Sequence, residues 1–392
     1  MKKSILILFL GFTLFSFSQT TEIPDPLFEQ ALIDLGIDST PIDGSVPTAN
    51  ISSLTSLNVN NKNISDLTGI EDFTALTILF CHTNQLTSLD VTNNTALTNL
   101  NCYGNELTSI DVTNNTALTN LSCFGNELTS IDVTNNTALT VLSADENQLT
   151  SLDVTNNTAL VTLFCFGSQL TSLDLANNTA LTNLECSENQ LTSLDVSNNT
   201  ALTYLFCFGN QITSLDVSNN TALTYLFCFG NQLASLGVSN NTALTNLKCH
   251  ENQLITLDVR NGNNTNVVDF TAFDNPDLSC ILVDDASYST SNWTDIDDAS
   301  TFVNDEAECD ALSVGDNAFE LEVSVYPNPT DDYLFMEGNK NPIFISIYNL
   351  LGEKVLSAKK TNKIDVKELS NGVYIIRISD GVSQTDKKFI KN

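Results

Sequence analysis

One 21-residue unit governs this chain. LTNLNCYGNELTSIDVTNNTA begins at Leu97 and returns with little change at 118, 139, 160, 181, 202, 223 and 244. A 22-residue copy opens at Leu54, another begins at Leu76, and a degenerate one runs from Val267 to Leu278, making eleven in tandem. So short a unit cannot bury its own leucines, so the copies must stack, and stacking lines up equivalent residues in columns. The segment L-x-x-L-x-C reads as a short strand, whose alternation sends Leu and Cys to one side and the residues between them to the other. The expected fold class is mainly β: a parallel sheet coiled right-handedly into a solenoid over 54–279.

The columns carry chemistry. Cys81, Cys102, Cys123, Cys165, Cys186, Cys207, Cys228 and Cys249 share the 21-residue grid, and Ala144 fills its one gap. A bonding partner is not replaced by alanine, so these read as small buried apolar side chains with free thiols. Cys280 and Cys309 lie off the grid and are the expected disulfide, closing a loop worth roughly 3–4 kcal/mol. Asn84, Asn105, Asn126, Asn147, Asn189, Asn210, Asn231, Asn252 and Asn275 fall where each strand turns away, with Ser168 interrupting. Their amides can satisfy backbone groups left unpaired by the turn. Asp90, Asp111, Asp132, Asp153, Asp174, Asp195 and Asp216 form a further column, broken by Gly237 and resumed by Asp258. Each can cap the turn after it; an oxygen-rich stack also suits calcium, the second reading of this column.

An open stack needs covered ends. Over 20–53, Asp25 reads as an N-cap and Pro26 as the first helical residue, with Leu27, Phe28, Ala31, Leu32 and Leu35 apolar and Gly36 as the stop. Over 280–316, the Cys280 to Cys309 segment with Trp293 is expected to close the other end. Residues 1–18, with two lysines and a short apolar run, read as a cleaved secretory signal, and no later stretch suits a membrane span. Net charge is −32. Thirty-seven acids face only Lys62, Lys248 and Arg260 between residues 20 and 316, whereas 317–392 holds ten acids and ten bases. The acidic part should repel nucleic acid and attract cations or basic partners. The tail alternates like seven short strands, LEVSVYP, YLFMEG, IFISIYN, EKVLSA, KIDVKEL, GVYIIRIS and TDKKFIKN, which suggest a small immunoglobulin-like β-sandwich.

The pattern L-x-x-L-x-C-x-x-N-x-L resembles the leucine-rich repeat, with cysteine in the third apolar position, and the opening copy resembles the internalin-type variant. YPNP at 326–329, LLGEKV at 350–355, LSNGVYIIRI at 369–378 and KKFIKN at 387–392 resemble, in order and spacing, the C-terminal sorting domain of type IX secretion cargo. That resemblance implies a Gram-negative bacterium of the Bacteroidota type, contact of the tail with the secretion machinery, delivery to the cell surface or medium, and removal of the tail during export.

With Leu and Cys inward, the residues between them face the concave sheet. YLFCFGNQ occurs at both 204–211 and 225–232, so Tyr204, Phe206, Phe208, Tyr225, Phe227 and Phe229 form a patch the fold does not require. Phe164, Phe166, Glu185, Lys248 and His250 flank it. Such a patch suits a protein segment or a sugar face. The competing reading is cross-strand stacking that only stiffens the sheet.

No catalytic set is expected. His82 and His250 are eight rungs, roughly 40 Å, apart. Asp145 and Glu185, two rungs apart with Phe164 and Phe166 between, are the nearest approach to a paired-carboxylate hydrolase, but on an open sheet. No resident metal or cofactor is expected, and the chain is expected to be monomeric. The sequence-level function is an exported binding module for a protein or glycan; the alternative is a structural or adhesive surface component with a calcium-loaded solenoid.

Overall fold

The computed structural model describes residues 19–315, 323–338, 344–379 and 384–392. The expected signal over 1–18 and the junction at 316/317 lie outside them. By internal contacts the chain divides between Asp305 and Glu306 into two units.

The repeats form an eleven-stranded parallel sheet running from Ser56–Asn58 to Asp269–Thr271. Each strand is three residues long and pairs in register with its neighbour one repeat away, as in Tyr204↔Tyr225, Leu205↔Leu226 and Phe206↔Phe227. Backbone pairing continues beyond the assigned strand: Cys207 N–H donates to Phe227 C=O at 2.9 Å and Gly209 N–H to Phe229 C=O at 3.0 Å. The chain then turns sharply at Gly209, whose φ of +63° favours glycine. Inside, the leucine and cysteine columns are almost wholly buried and belong to one continuous core. Each buried leucine contributes roughly 1.5–3 kcal/mol, which only stacking can secure.

Two asparagine columns finish the backbone accounting. In the expected one, Asn105 donates to Cys102 C=O at 2.9 Å and Cys81 C=O at 3.2 Å, and accepts Leu86 N–H at 3.0 Å. The second, in the N-N-T-A turn, runs through Asn94, Asn115, Asn136 and onward to Asn241, all fully buried. Asn115 donates to Val91 and Asn94 carbonyls, both at 2.9 Å, tying each turn to the one below. The turn-edge L-T-S-L-D-V segments become strands only near the end, in the sheet of Ser235–Gly237, Thr256–Asp258, Cys280–Leu282 and Thr301–Val303.

Helix Pro26–Asp34 covers the first repeat. Asp25 caps it, accepting Leu27 N–H at 2.7 Å and Phe28 N–H at 3.2 Å through one oxygen. Its other oxygen accepts Ser65 N–H at 2.8 Å, Ser65 Oγ at 2.9 Å and Asp66 N–H at 3.0 Å, which fastens the helix to the opening repeat. Phe28, Ala31 and Leu32 are buried as expected, but Leu27 and Leu35 are exposed. Leu35 is the C-cap, just past the last helical residue, and Leu27 in the first turn lies on the face that the opening repeat does not cover. At the far end Trp293 is buried against Phe270, ring centroids 4.4 Å apart, and donates to Val267 C=O at 3.1 Å. Cys280 and Cys309 are disulfide-bonded, while the eight grid cysteines are free and buried.

In the second unit all seven expected strands are present, arranged as three-stranded and four-stranded antiparallel sheets. Leu334, Met336 and Ile364 from the first share a core with Ile345, Ile376 and Phe389 from the second.

Candidate binding face

The in-register sheet turns a sequence repeat into three surface columns. The outermost residue of each rung, the one following the inward Cys, gives His82, Tyr103, Phe124, Asp145, Phe166, Ser187, Phe208, Phe229, His250 and Phe273. Where consecutive members are flat they stack: Phe208 on Phe229 at 4.4 Å, Phe229 on His250 at 4.4 Å, His250 on Phe273 at 4.5 Å. His82, Tyr103 and Phe124 make a second stack, each step 4.3 Å. In the other columns Tyr204 lies 4.8 Å from Tyr225 and Phe206 4.5 Å from Phe227. The rings cover one another, so most are half-buried; Tyr204, at the edge of the patch, is 37% exposed. The orientation expected from alternation is therefore observed: thiols inside, rings on the sheet surface.

Tyr103, Phe124, His82 and Phe273 belong to this surface although the duplicated octapeptide does not contain them. Reading the rungs by alternation places His82, Tyr103 and Phe124 there, whereas Phe273, 23 residues after His250 in the degenerate last copy, falls off the 21-residue grid.

Lys248 and His250 are already engaged. Lys248 Nζ pairs with Asp269 at 3.0 Å and lies over the Phe227 ring, 5.0 Å from its centroid. His250, between two phenylalanines, has Nδ1 2.8 Å from Thr271 Oγ1, and burial depresses its pKa. Asp145 is not on an open surface but only 5% exposed, and its carboxylate accepts a hydrogen bond from Ser143 Oγ at 2.7 Å. Burial pushes its pKa up. Glu185, flanked in register by Phe164 and Phe206, is pushed the same way by burial and by the charge of Asp145.

The turn edge behaves differently. Asp111 Oδ1 accepts Thr113 N–H at 2.9 Å and Thr113 Oγ at 2.6 Å, and Asp90, Asp132 and Asp153 repeat the arrangement with Thr92, Thr134 and Thr155. These bonds hold the four carboxyls below the ordinary range. Among the described residues no three His, Cys, Asp or Glu side chains converge as a metal site would require. The hollows found in the solenoid, such as one of about 380 Å³ bounded by Leu67, Ser88 and Asp90, lie off the aromatic sheet.

In the tail, Asn328 of YPNP accepts Ile390 N–H at 2.9 Å and donates to Lys388 C=O at 3.0 Å, joining two of the motifs. LLGEKV leaves Leu350 and Leu351 exposed at a turn. Residues 324–392 match the secretion system C-terminal sorting domain. Internalin J of Listeria monocytogenes is 48% identical over 44 residues, 11% of this chain and only 5% of that protein. A solved L. monocytogenes internalin, inlF, is 22% identical, covers 76% of this chain and 97% of its own, with a TM-score of 0.57. The functional domain of InlJ, which includes a cysteine ladder, covers 96% of this chain and 99% of its own at 25% identity, with a TM-score of 0.42.

This is an internalin-like leucine-rich-repeat solenoid carrying a sorting domain. The sorting domain addresses the chain to type IX secretion, and hence to the surface or surroundings of a Gram-negative cell. No helix among the described residues is long and apolar enough to cross a membrane.

Proposed function

We propose that the solenoid is an exported, non-catalytic binding module that engages a protein or glycan through its concave aromatic rungs. The observation that carries this reading is the Tyr204, Phe206, Phe208 rung stacked on Tyr225, Phe227, Phe229. The fold does not need those rings: other rungs hold Asn99 and Asn101, or Asn120 and Ser122, in the same two strand positions with the same backbone pairing. The stacks do stabilise the sheet, by about 0.5–1.5 kcal/mol per pair. That contribution does not explain why Phe164, Phe166, Glu185, Lys248 and His250 border the rings on the same face. Replacing Tyr204, Phe206, Tyr225 and Phe227 with serine should abolish binding on a glycan and surface-protein array while the solenoid still unfolds cooperatively, at a lower Tm. Undiminished binding by that variant would remove the reading. Attachment that survives the four substitutions but disappears when divalent ions are removed would instead support a structural, cation-loaded surface component.

A further inference from the structure

The aromatic rung of Phe164 and Phe166 lies between two acidic rungs, with Asp145 on one side and Glu185 on the other. Both carboxylates face the concave sheet, because Leu142, Ala144, Leu184 and Cys186 take the inward positions. The solenoid has only three basic side chains between residues 20 and 316, and each is already paired: Lys62 with Asp34 at 3.3 Å, Lys248 with Asp269 at 3.0 Å, Arg260 with Asp258 at 2.6 Å. None of these pairs involves Asp145 or Glu185. The chain also shows what the missing partner would do, since Lys248 rests over Phe227 with Asp269 as its counterion. Ring, cation and carboxylate are all present there; at the Phe164 rung only ring and carboxylates are. A second observation points the same way: Ser187, on the Glu185 rung and the same face, is fully buried and its Oγ has no hydrogen-bond partner.

We infer that this rung receives an arginine side chain of a protein partner, the guanidinium lying on the phenylalanine rings between Asp145 and Glu185. The inference rests on the aromatic-face reading and narrows its ligand to a segment bearing arginine. Arginine fits better than lysine: its planar group stacks on a ring while its fork of N–H donors reaches carboxylates to either side. Those donors could also supply Ser187 Oγ. A solenoid of such negative charge would draw the segment in from a distance, and the local arrangement would then select it.

The test uses the full chain and a fluorescent hexapeptide with two arginines, compared with the same peptide carrying lysine or citrulline, by anisotropy at fixed salt. The arginine peptide should bind about tenfold more tightly than the lysine peptide, and the citrulline peptide should not bind measurably. Asp145→Asn with Glu185→Gln should weaken the arginine peptide at least about tenfold, while Asp111→Asn with Asp153→Asn, an equal change of charge on the turn edge, should alter it less than about twofold. Phe164→Leu with Phe166→Leu, which keeps the carboxylates, should also weaken it. Equal weakening by both carboxylate pairs, or equal binding of arginine and lysine peptides, would reduce the effect to diffuse attraction and overturn the proposal. An oligosaccharide whose binding needs Tyr204 and Phe206 but ignores Asp145 and Glu185 would also overturn it, yet leave the aromatic-face reading in place.

Discussion

The turn edge and the concave face of this solenoid both carry carboxylates in line with the repeat, and they treat them in opposite ways. At the turn edge Asp90, Asp111, Asp132 and Asp153 each take two donors, the N–H and the hydroxyl of the threonine two residues on, so the charge is welcome and the carboxyl is held below its ordinary range. On the concave face Asp145 has one hydroxyl donor and Glu185 has aromatic neighbours, so burial pushes both carboxyls up. The carboxylate is therefore satisfied by its own turn in the first place and under-supplied with donors in the second. Local donors decide between the two, not position along the chain.

Asp25 is the extreme of the first kind and should give the largest effect. Burial alone would raise its pKa, but bonds from Ser65, Leu27 and Asp66 outweigh that and hold it down. Asp25→Ala should destabilise the solenoid by about 2–4 kcal/mol in a denaturant melt, since it removes a helix cap and strands several donors. Loss of much less would mean that the helix is not fastened to the repeats as described.

Next comes pH. Carboxyls with depressed folded-state pKa values, Asp25, Asp90, Asp111, Asp132 and Asp153 among them, contribute stability above the unfolded value of about 3.9, and that stability fades as pH falls through the folded value. Asp145 and Glu185 have the opposite sign: their ionised forms are penalised in the fold, and the penalty grows as pH rises through their folded pKa. Asp145→Asn should therefore raise Tm at pH 7, with the gain shrinking toward pH 4, whereas Asp132→Ala should lower Tm at pH 7. The same sign for both variants would collapse the comparison.

Two smaller effects sharpen it. Native protein should react with Ellman's reagent hardly at all at pH 8, because burial pushes thiols such as Cys81 and Cys207 up to about 12; unfolding should release eight reactive thiols. Fast native labelling would contradict the inward cysteine column. Chelator or millimolar calcium should leave Tm unchanged, since one oxygen of each Asp90-type carboxylate already serves its own turn. A calcium-dependent rise would assign the turn edge a second role.

Much of this was legible because a strict period converts one local decision into eleven. Alternation at Leu205 and Cys207 gave the inward face, and the Asn105 and Asp111 columns stood where unpaired backbone groups had to be met. The interior column of Asn94, Asn115 and their successors was not read, because N-N-T-A looks like any solvent turn until its depth is known. Nor was the exposure of Leu27 and Leu35 evident, since a helical stripe does not say how far the covering repeat extends.

The repeat alone determined the solenoid, its in-register columns and which side chains line its interior, because stacking leaves a 21-residue unit no other way to bury its leucines. Tertiary structure alone decided that rings stack down the columns, that Asp145 is enclosed, and that Lys62, Lys248 and Arg260 are already paired. Those outcomes depend on side chains from neighbouring turns meeting in space, and the desolvation of a group is set by everything around it, not by its own place in the period.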